Sequence, residues 1–329
     1  MKNVHAKSPC CRGTIIHYGN RRRQCTRCGA TWSIRPRKRG RKRRHVRRSL
    51  IDKVFSEKRT LTSLARGRDI SQPAMTKRFR RSLDWYVKRP HAAMTFRARR
   101  YALVADALWF RFNGERWTLY LRALKPVARH TATFLDPVLL PGKENACDWQ
   151  RVIADIPDAL QNRIKAFVSD GFRGSKRIVR YYRWIFQRCH FHLIAQLQIR
   201  RGRRKTTISG RQTREEIYQT ARKILAFKNR SRVKELKGHL RKLTRRRDCP
   251  WKLKSIVREF LRDVKYFRAY LNHPELNLPT TTNTIESLNS AIRNVCGSLR
   301  TPESLIRWTK ALLKHHPAFT CRGTNYQQN

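Results

Sequence analysis

Between Tyr101 and Phe110 the chain runs Tyr-Ala-Leu-Val-Ala-Asp-Ala-Leu-Trp-Phe, ten residues with a single charge, Asp106. A stretch this apolar reads as a buried strand, and a buried strand demands a sheet around it. Trp117 to Leu124 and Thr131 to Leu140 read as two further strands, separated by Asn113-Gly114 and a short loop holding Arg129, which predicts an antiparallel meander. From Asp148 to Leu160, the spacing of Trp149, Val152, Ile153 and Ile156 predicts an amphipathic helix. Ile164 to Gly171 is an apolar strand ending in Asp170 and a glycine, Ser175 to Tyr182 a basic helix, and Trp184 to Gln187 a last strand leading into Arg188-Cys189-His190-Phe191-His192.

Three strands, a helix, a strand, a helix and a strand is the order of a ribonuclease H-like core, here placed at residues 95–192 within an α/β chain. Residues 193–280 carry helical patterns at Ile194 to Ile199, Glu215 to Phe227, Val233 to Leu243 and Trp251 to Leu271, and no convincing strand. They read as an all-helical insertion, very basic between Arg200 and Arg211 and again at Arg245-Arg246-Arg247. The core resumes at 281–316, where Thr301-Pro302-Glu303 opens a final helix, and the tail at 317–329 reads as loose.

Ahead of the core lie smaller pieces. Cys25-Thr26-Arg27-Cys28-Gly29 is a zinc knuckle: a two-residue gap turns both thiolates onto one tetrahedral ion, and the glycine permits the tight turn. The other half of the site is irregular because Cys10 and Cys11 are adjacent, and neighbouring thiolates do not easily reach one ion together. Cys10 with Cys11, Cys11 with His5 or His17, a degenerate site, or plain reduced surface cysteines all remain open for residues 1–34, read as a zinc ribbon. Residues 35–48 are almost continuously basic and form a solvated linker. Its Arg39-Gly40-Arg41 centre, with Arg43 following, looks like an AT-hook that enters a narrow minor groove; the plain alternative is a phosphate-neutralising tail. Residues 49–90 are helical, with apolar faces Leu50, Ile51, Val54, Phe55, then Leu61, Leu64, Ala65, then Met75, Phe79, Leu83, Trp85. The turn Arg66 to Ser71 between the last two gives a helix-turn-helix layout, which would present Gln72, Thr76, Lys77 and Arg80 to a major groove.

Charge names the class of partner. The 77 Lys and Arg against 21 Asp and Glu leave a formal net charge of +56, which would repel itself in a compact fold unless a polyanion screened it. Nucleic acid is the expected partner, and a membrane is not, since no run of about 18 apolar residues occurs and the start lacks an apolar signal region. A soluble, intracellular protein is expected, with its nine cysteines reduced or metal-bound.

With so few acids, three placements stand out: Asp106 inside the first core strand, Asp170 at the end of the fourth, and Glu286 in Thr281-Thr282-Asn283-Thr284-Ile285-Glu286-Ser287-Leu288-Asn289. Asn283 can cap a helix in which Glu286 lies beside the apolar positions Ile285, Leu288 and Ile292. Each acid has a dull explanation: a strand bulge, a turn residue, a capping-box glutamate. In a ribonuclease H-like sheet, however, the first and fourth strands are neighbours. The three carboxylates would then converge as oxygen ligands for two Mg2+ ions about 4 Å apart, with Mn2+ as a substitute.

The same residues, with Cys189-x-x-His192 after the fifth strand, a helical insertion before the glutamate and Asn283 and Asn289 around it, resemble the Mutator-type transposases of bacterial insertion sequences over about residues 95 to 315. The N-terminal modules are similar to terminal-repeat-binding modules of various transposases. The resemblance implies DDE chemistry by Asp106, Asp170 and Glu286: metal-activated water cuts at the element end, and the freed 3′-hydroxyl attacks target DNA directly. It further implies terminal inverted repeats and target DNA as partners, a homodimer or higher oligomer on DNA, and residence with the nucleoid in a bacterial cytoplasm. Cys189 and His192 would support the site or contact DNA near it; their alternative is a buried thiol and a hydrogen-bonded imidazole. Rival readings are a transposase-derived DNA-binding regulator and a nuclease that cuts without joining.

Overall fold

The computed structural model describes residues 8, 10–18, 22–33, 50–57, 59–88, 96–202, 209–296, 299–316 and 318–320. The chain divides into two units, residues 1–58 and 59–329. In the first, β1 (Ile15–His17), β2 (Arg22–Cys25) and β3 (Thr31–Ser33) make an antiparallel sheet in that order, followed by helix α1 (residues 50–55). His5 and the linker with Arg39, Arg41 and Arg43 lie outside the described residues.

The second unit begins with α2 (Leu61–Arg66) and α3 (Gln72–Lys88). The Thr60 hydroxyl accepts the Ser63 N–H at 3.1 Å to start α2, Asp69 turns the chain at φ 52°, and the Ser71 hydroxyl accepts the Ala74 N–H at 3.4 Å to start α3. Gln72, Thr76, Lys77 and Arg80 are exposed on α3, while Met75, Phe79 and Leu83 are buried. Phe79 meets Trp308 at 5.0 Å between ring centroids, and Asp84 pairs with Arg307 at 2.9 Å, so α3 packs on the C-terminal helix α13 (Pro302–His315).

The sheet is mixed. Its strands are β4 (Tyr101–Phe112), β5 (Glu115–Pro126), β6 (Thr131–Phe134), β7 (Val138–Pro141), β8 (Ile164–Ser169), β9 (Ile185–Arg188) and β10 (Ala318–Thr320). The order is β10-β6-β5-β4-β8-β9, with β7 also on β5; β4, β5 and β6 run antiparallel, while β8 and β9 run parallel to β4. The expected third strand is two strands, because Pro137 has no N–H to give a ladder. The expected helix from Asp148 is likewise α4 (Ala146–Ala154) and α5 (Asp158–Gln161), divided at Pro157. The tail is not loose throughout: β10 pairs with β6, a segment too short to show a period in sequence.

Alternation along β4 decides both faces. Tyr101, Leu103 and Ala105 pack with Trp149, Val152 and Ile153 of α4 and with Ile178 and Val179 of α6 (Ser175–Tyr181). Against β4 lies α12 (Asn283–Cys296), burying Ile285, Leu288 and Ile292. Between β9 and α12 come α7 (His190–Arg201), α8 (Arg211–Ala226), α9 (Arg230–Arg245), α10 (Trp251–Phe267) and α11 (Ala269–Asn272), with no strand among the described residues of this block. They have their own core of Leu197, Ile217, Ile224, Leu240, Val257 and Phe260. Each such side chain contributes about 1.5–3 kcal/mol on burial.

The block is keyed to the sheet at the end of β9. Gln187 donates to Phe267 O at 3.0 Å and accepts the Tyr270 N–H at 2.9 Å, and the wholly buried His190 donates from Nε2 to Phe267 O at 2.6 Å. Burial pulls the His190 pKa down from 6.5 to about 4, against the smaller upward effect of that hydrogen bond. The unfolded chain therefore takes up a proton near pH 6.5 that the folded chain refuses until near pH 4. Stability should fall by up to about 3 kcal/mol as pH drops through that window. Urea titrations of the parent and His190→Gln at pH 7 and pH 4.5 check this: the variant should lose much of the pH dependence, and an equally steep fall in both removes His190 as its cause.

Candidate active site and cysteine cluster

Asp106 lies in β4 where the pairing with β8 has just ended. Val104 is opposite Val168, so counting two residues on from each puts Asp106 level with Asp170, the first residue past the end of β8. Asp106 is buried; its Oδ1 accepts the Ala107 N–H at 2.9 Å and its Oδ2 accepts Asn289 Nδ2 at 2.7 Å. Asn289 sits on α12 one turn beyond Glu286, and its Oδ1 is buried without a hydrogen-bond partner. Glu286 Oε1 lies 3.1 Å from His192 Nε2, in the first turn of α7. One donor atom each from Asp106, His192 and Glu286 falls within 4.8 Å of the others, a set able to hold a metal ion.

Asp170 is outside that 4.8 Å set but inside its field. Its Oδ1 accepts the Phe172 N–H at 3.0 Å, and its carbonyl accepts Arg188 Nε at 3.3 Å and Nη2 at 3.0 Å. Gly171 makes this approach possible: at φ +91° it has no side chain, and a Cβ there would lie 2.2 Å from Arg188 Nε. Arg188 in turn pairs with Asp263 and Glu259 of α10, each at 2.9 Å.

The electrostatics follow from crowding. Burial, then the charges of Glu286 and Asp170, push the Asp106 carboxyl up to about 7, although His192 and Asn289 pull it down. Burial alone would lower His192, but the Cys189 sulfur and the charges of Asp106 and Asp170 outweigh it and raise the imidazole to about 9. His192 is therefore the cation placed among the acids. Sequence reasoning left its role open; the i, i+3 spacing from Cys189 was the available signal. A further carboxylate, Glu144, had no such signal. It lies in the loop before α4, accepts the indole N–H of buried Trp149 at 2.7 Å, and is pushed up to about 7 by burial, with Asp170 adding to the rise.

Glu286 is not a capping-box residue, and Asn283 is not the cap. The helix begins at Asn283, whose side chain is outside the description, and Thr282 precedes it as the cap, its carbonyl accepting the Ile285 and Glu286 N–H groups at 2.7 and 2.9 Å. The N–H that a capping glutamate would accept, that of Thr282, goes instead to Cys189 Sγ at 3.2 Å. Cys189 Sγ also meets Thr282 Oγ1 at 3.2 Å, and that hydroxyl donates to Glu286 Oε1 at 3.4 Å. Cys189 thus holds the start of the helix that carries Glu286.

In the first unit Cys10, Cys11, Cys25 and Cys28 bring their sulfurs within 4.8 Å of one another. Sγ–Sγ separations are 3.2 Å for Cys10–Cys28, 3.3 Å for Cys11–Cys25 and 4.0 Å for Cys10–Cys11, close to the roughly 3.8 Å edge of a tetrahedral tetrathiolate site. Of the pairings the sequence leaves open, the structure brings the adjacent Cys10 and Cys11 together with Cys25 and Cys28. The Ser8 N–H bond to Gly13 O, the Arg12 N–H bond to Ser8 O and Arg12 at φ 54° close a turn that aims both thiols inward. His17 is no part of the cluster; its Nδ1 faces Arg23. The Ser8 hydroxyl, 3.1 Å from Cys25 Sγ, helps lower that thiol to about 5, favouring the thiolate a metal needs.

No helix among the described residues is long and apolar enough to cross a membrane. Curated proteins provide no match to the chain. The family model described as "Transposase, Mutator family" matches residues 138–320, which include Asp170, Cys189, His192, Glu286 and Asn289 and stop short of Asp106. That match spans more than half of the 329 residues, and the chain belongs to the Mutator family of transposases.

Proposed function

We propose that this transposase cuts the ends of an insertion sequence and joins them to target DNA by DDE chemistry, with Asp106, Asp170 and Glu286 as the catalytic carboxylates. The observation that carries the reading is the meeting of Asp106, His192 and Glu286 within 4.8 Å, with Asp170 level with Asp106 just past the end of the next strand. The adjacency of the first and fourth core strands supports a ribonuclease H-like sheet.

The carboxylate oxygens of Asp106 and Glu286 suit Mg2+ or Mn2+, with an acid whose proton is held by burial and like charges and an orphaned Asn289 oxygen beside it; His192, protonated against Glu286, is a hydrogen-bond donor there and not a ligand. Two such ions would supply activation of the attacking oxygen and stabilisation of the leaving one. The chain's own residues prepare this. Asn289 orients Asp106, Arg188 fixes the backbone of Asp170, Cys189 and Thr282 fix Glu286, and His192 carries a proton on Nε2 against Glu286. The basic surface would hold the DNA, with exposed Gln72, Thr76, Lys77 and Arg80 of α3 set for a major groove as in a helix-turn-helix. Joining two ends calls for more than one copy on the DNA, and the tetrathiolate cluster would hold a structural Zn2+ in a zinc ribbon.

Incubation with labelled element ends, target plasmid and Mg2+ tests the reading. Joined products are expected; cut ends alone indicate a nuclease, and binding without cutting a regulator. Asp106→Asn, Asp170→Asn and Glu286→Gln should each keep end binding and lose cleavage by at least about 10³-fold. A variant that still cuts removes its residue from the site.

Cys189→Ala strips the acceptor from a buried N–H, a loss of roughly 1–3 kcal/mol. It should lower the thermal midpoint and raise the Mg2+ concentration needed for half-maximal cleavage, whereas Cys189→Ser, which keeps an acceptor, should restore much of both. Equal behaviour of the two variants would mean that Cys189 only fills space. Elemental analysis should find one zinc per chain, lost with Cys25→Ser; full zinc content in that variant would rule out the tetrathiolate site.

A further inference from the structure

Helix α9 turns Val233, Leu236, Leu240 and Leu243 into the helical block. On its outer side lie Arg230, Lys234, Arg241 and Arg245, spaced by four, seven and four residues, with Lys237 and Lys242 flanking them. All of these but Lys237 are exposed, and Lys237 is half-buried. The one acid of the helix, Glu235, is taken by Arg232 at 2.7 Å, and among the described residues no other cation within α9 has an ion-pair partner. Six like charges along four turns repel one another, so this face favours a polyanion.

At its centre stands Gly238. A period of 3.6 residues puts it directly opposite the middle of the buried row. Glycine is among the poorest residues for a helix interior, and three internal reasons could excuse it. None applies: its φ is an ordinary helical one, a Cβ would meet nothing within 4 Å, and Gly238 is seven residues from the end of α9, so it is no cap. The other small residue on this line, Ser231, is exposed two turns earlier, and Gly238 itself is half-buried between the side chains around it. The arrangement is a low path of backbone between long cationic side chains, suited to something that must come close from outside.

We propose that the Gly238 face of α9 is a docking surface for duplex DNA, in which one phosphate strand runs close over Ser231 and Gly238 while Lys234, Arg241 and Arg245 neutralise its charges. Contact of this kind is independent of base sequence and of the carboxylate site.

Full-length protein titrated onto a fluorescent 40-base-pair duplex in EDTA, across a series of salt concentrations, tests this without any chemistry. For Lys234→Gln/Arg241→Gln/Arg245→Gln, the slope of log affinity against log salt should become shallower by about 2 to 3. Gly238→Ala should raise the thermal midpoint. Gly238→Gln should melt no lower than the parent yet bind the duplex about tenfold more weakly, a divergence that a purely structural glycine would not produce. Parent-like slope in the triple variant and parent-like affinity in Gly238→Gln overturn the proposal while leaving the transposase reading intact. Loss confined to a single-stranded RNA of equal length also overturns it, assigning the face to another polyanion. A parent protein that binds no duplex in EDTA sinks both.

Discussion

One hydrogen bond from a backbone N–H to a sulfur ties the end of the sheet to the start of the helix that carries Glu286. Cys189 directly follows β9, Thr282 caps the helix that carries Glu286, and 93 positions separate them. That span would let the glutamate wander if its return were held only by the helical block. Instead residues 277–282 are tied down along the way. Lys125 donates to Asn277 O at 2.8 Å, Asn277 Nδ2 donates to Val127 O at 3.2 Å, and the His190 N–H donates to Thr280 O at 2.8 Å. Thr280, Thr281 and Thr282 are all buried, so the bond to Thr280 O is shielded from bulk water, while those at Asn277 lie at the surface. The insertion can therefore vary without moving the glutamate, because the segment after it docks on the strands and on α7.

The chain is strongly cationic, yet the group that faces Glu286 is the imidazole of His192 and the side chain on Asp106 Oδ2 is the Asn289 amide. The Arg188 guanidinium is spent on the backbone carbonyl of Asp170 and on Asp263 and Glu259. A fixed arginine among the carboxylates would neutralise them permanently. A histidine can give up its charge, and a divalent ion can replace what it supplied. Burial, and after it the charges of Glu286 and Asp170, therefore push Asp106 up to about 7 even in a protein of net charge +56.

Much of the core was readable from its periodicity. The strand bearing Asp106, the strand ending in Asp170, the all-helical block and the helix with Glu286 each carry an apolar pattern long enough to identify. Breaks made by single residues were harder: Pro137 and Pro157 split elements that hydrophobicity alone runs together. Three features of the sites depend on contacts across long separations and had no local signal. The adjacent cysteines converge because a turn closed through Ser8 and Arg12 re-aims them. The cap of α12 is Thr282 and not the better-placed Asn283 of the sequence pattern, because a distant thiol takes the N–H. His192 joins the acids because α7 starts directly at the end of β9, which lies two strands from Asp106.

Two glycines show how far an internal accounting reaches. Gly171 costs the fold backbone freedom, and the cost is returned inside the molecule: Arg188 occupies the space a Cβ would need, and through it the last turn of the sheet is locked to α10. Gly238 costs the same freedom in the middle of a helix, and no atom within 4 Å of its absent Cβ returns it. The DNA strand proposed to run over α9 supplies from outside the reason that no neighbour within the molecule gives. On α9 the surrounding side chains say what charge that partner carries, and the missing side chain says how close it comes.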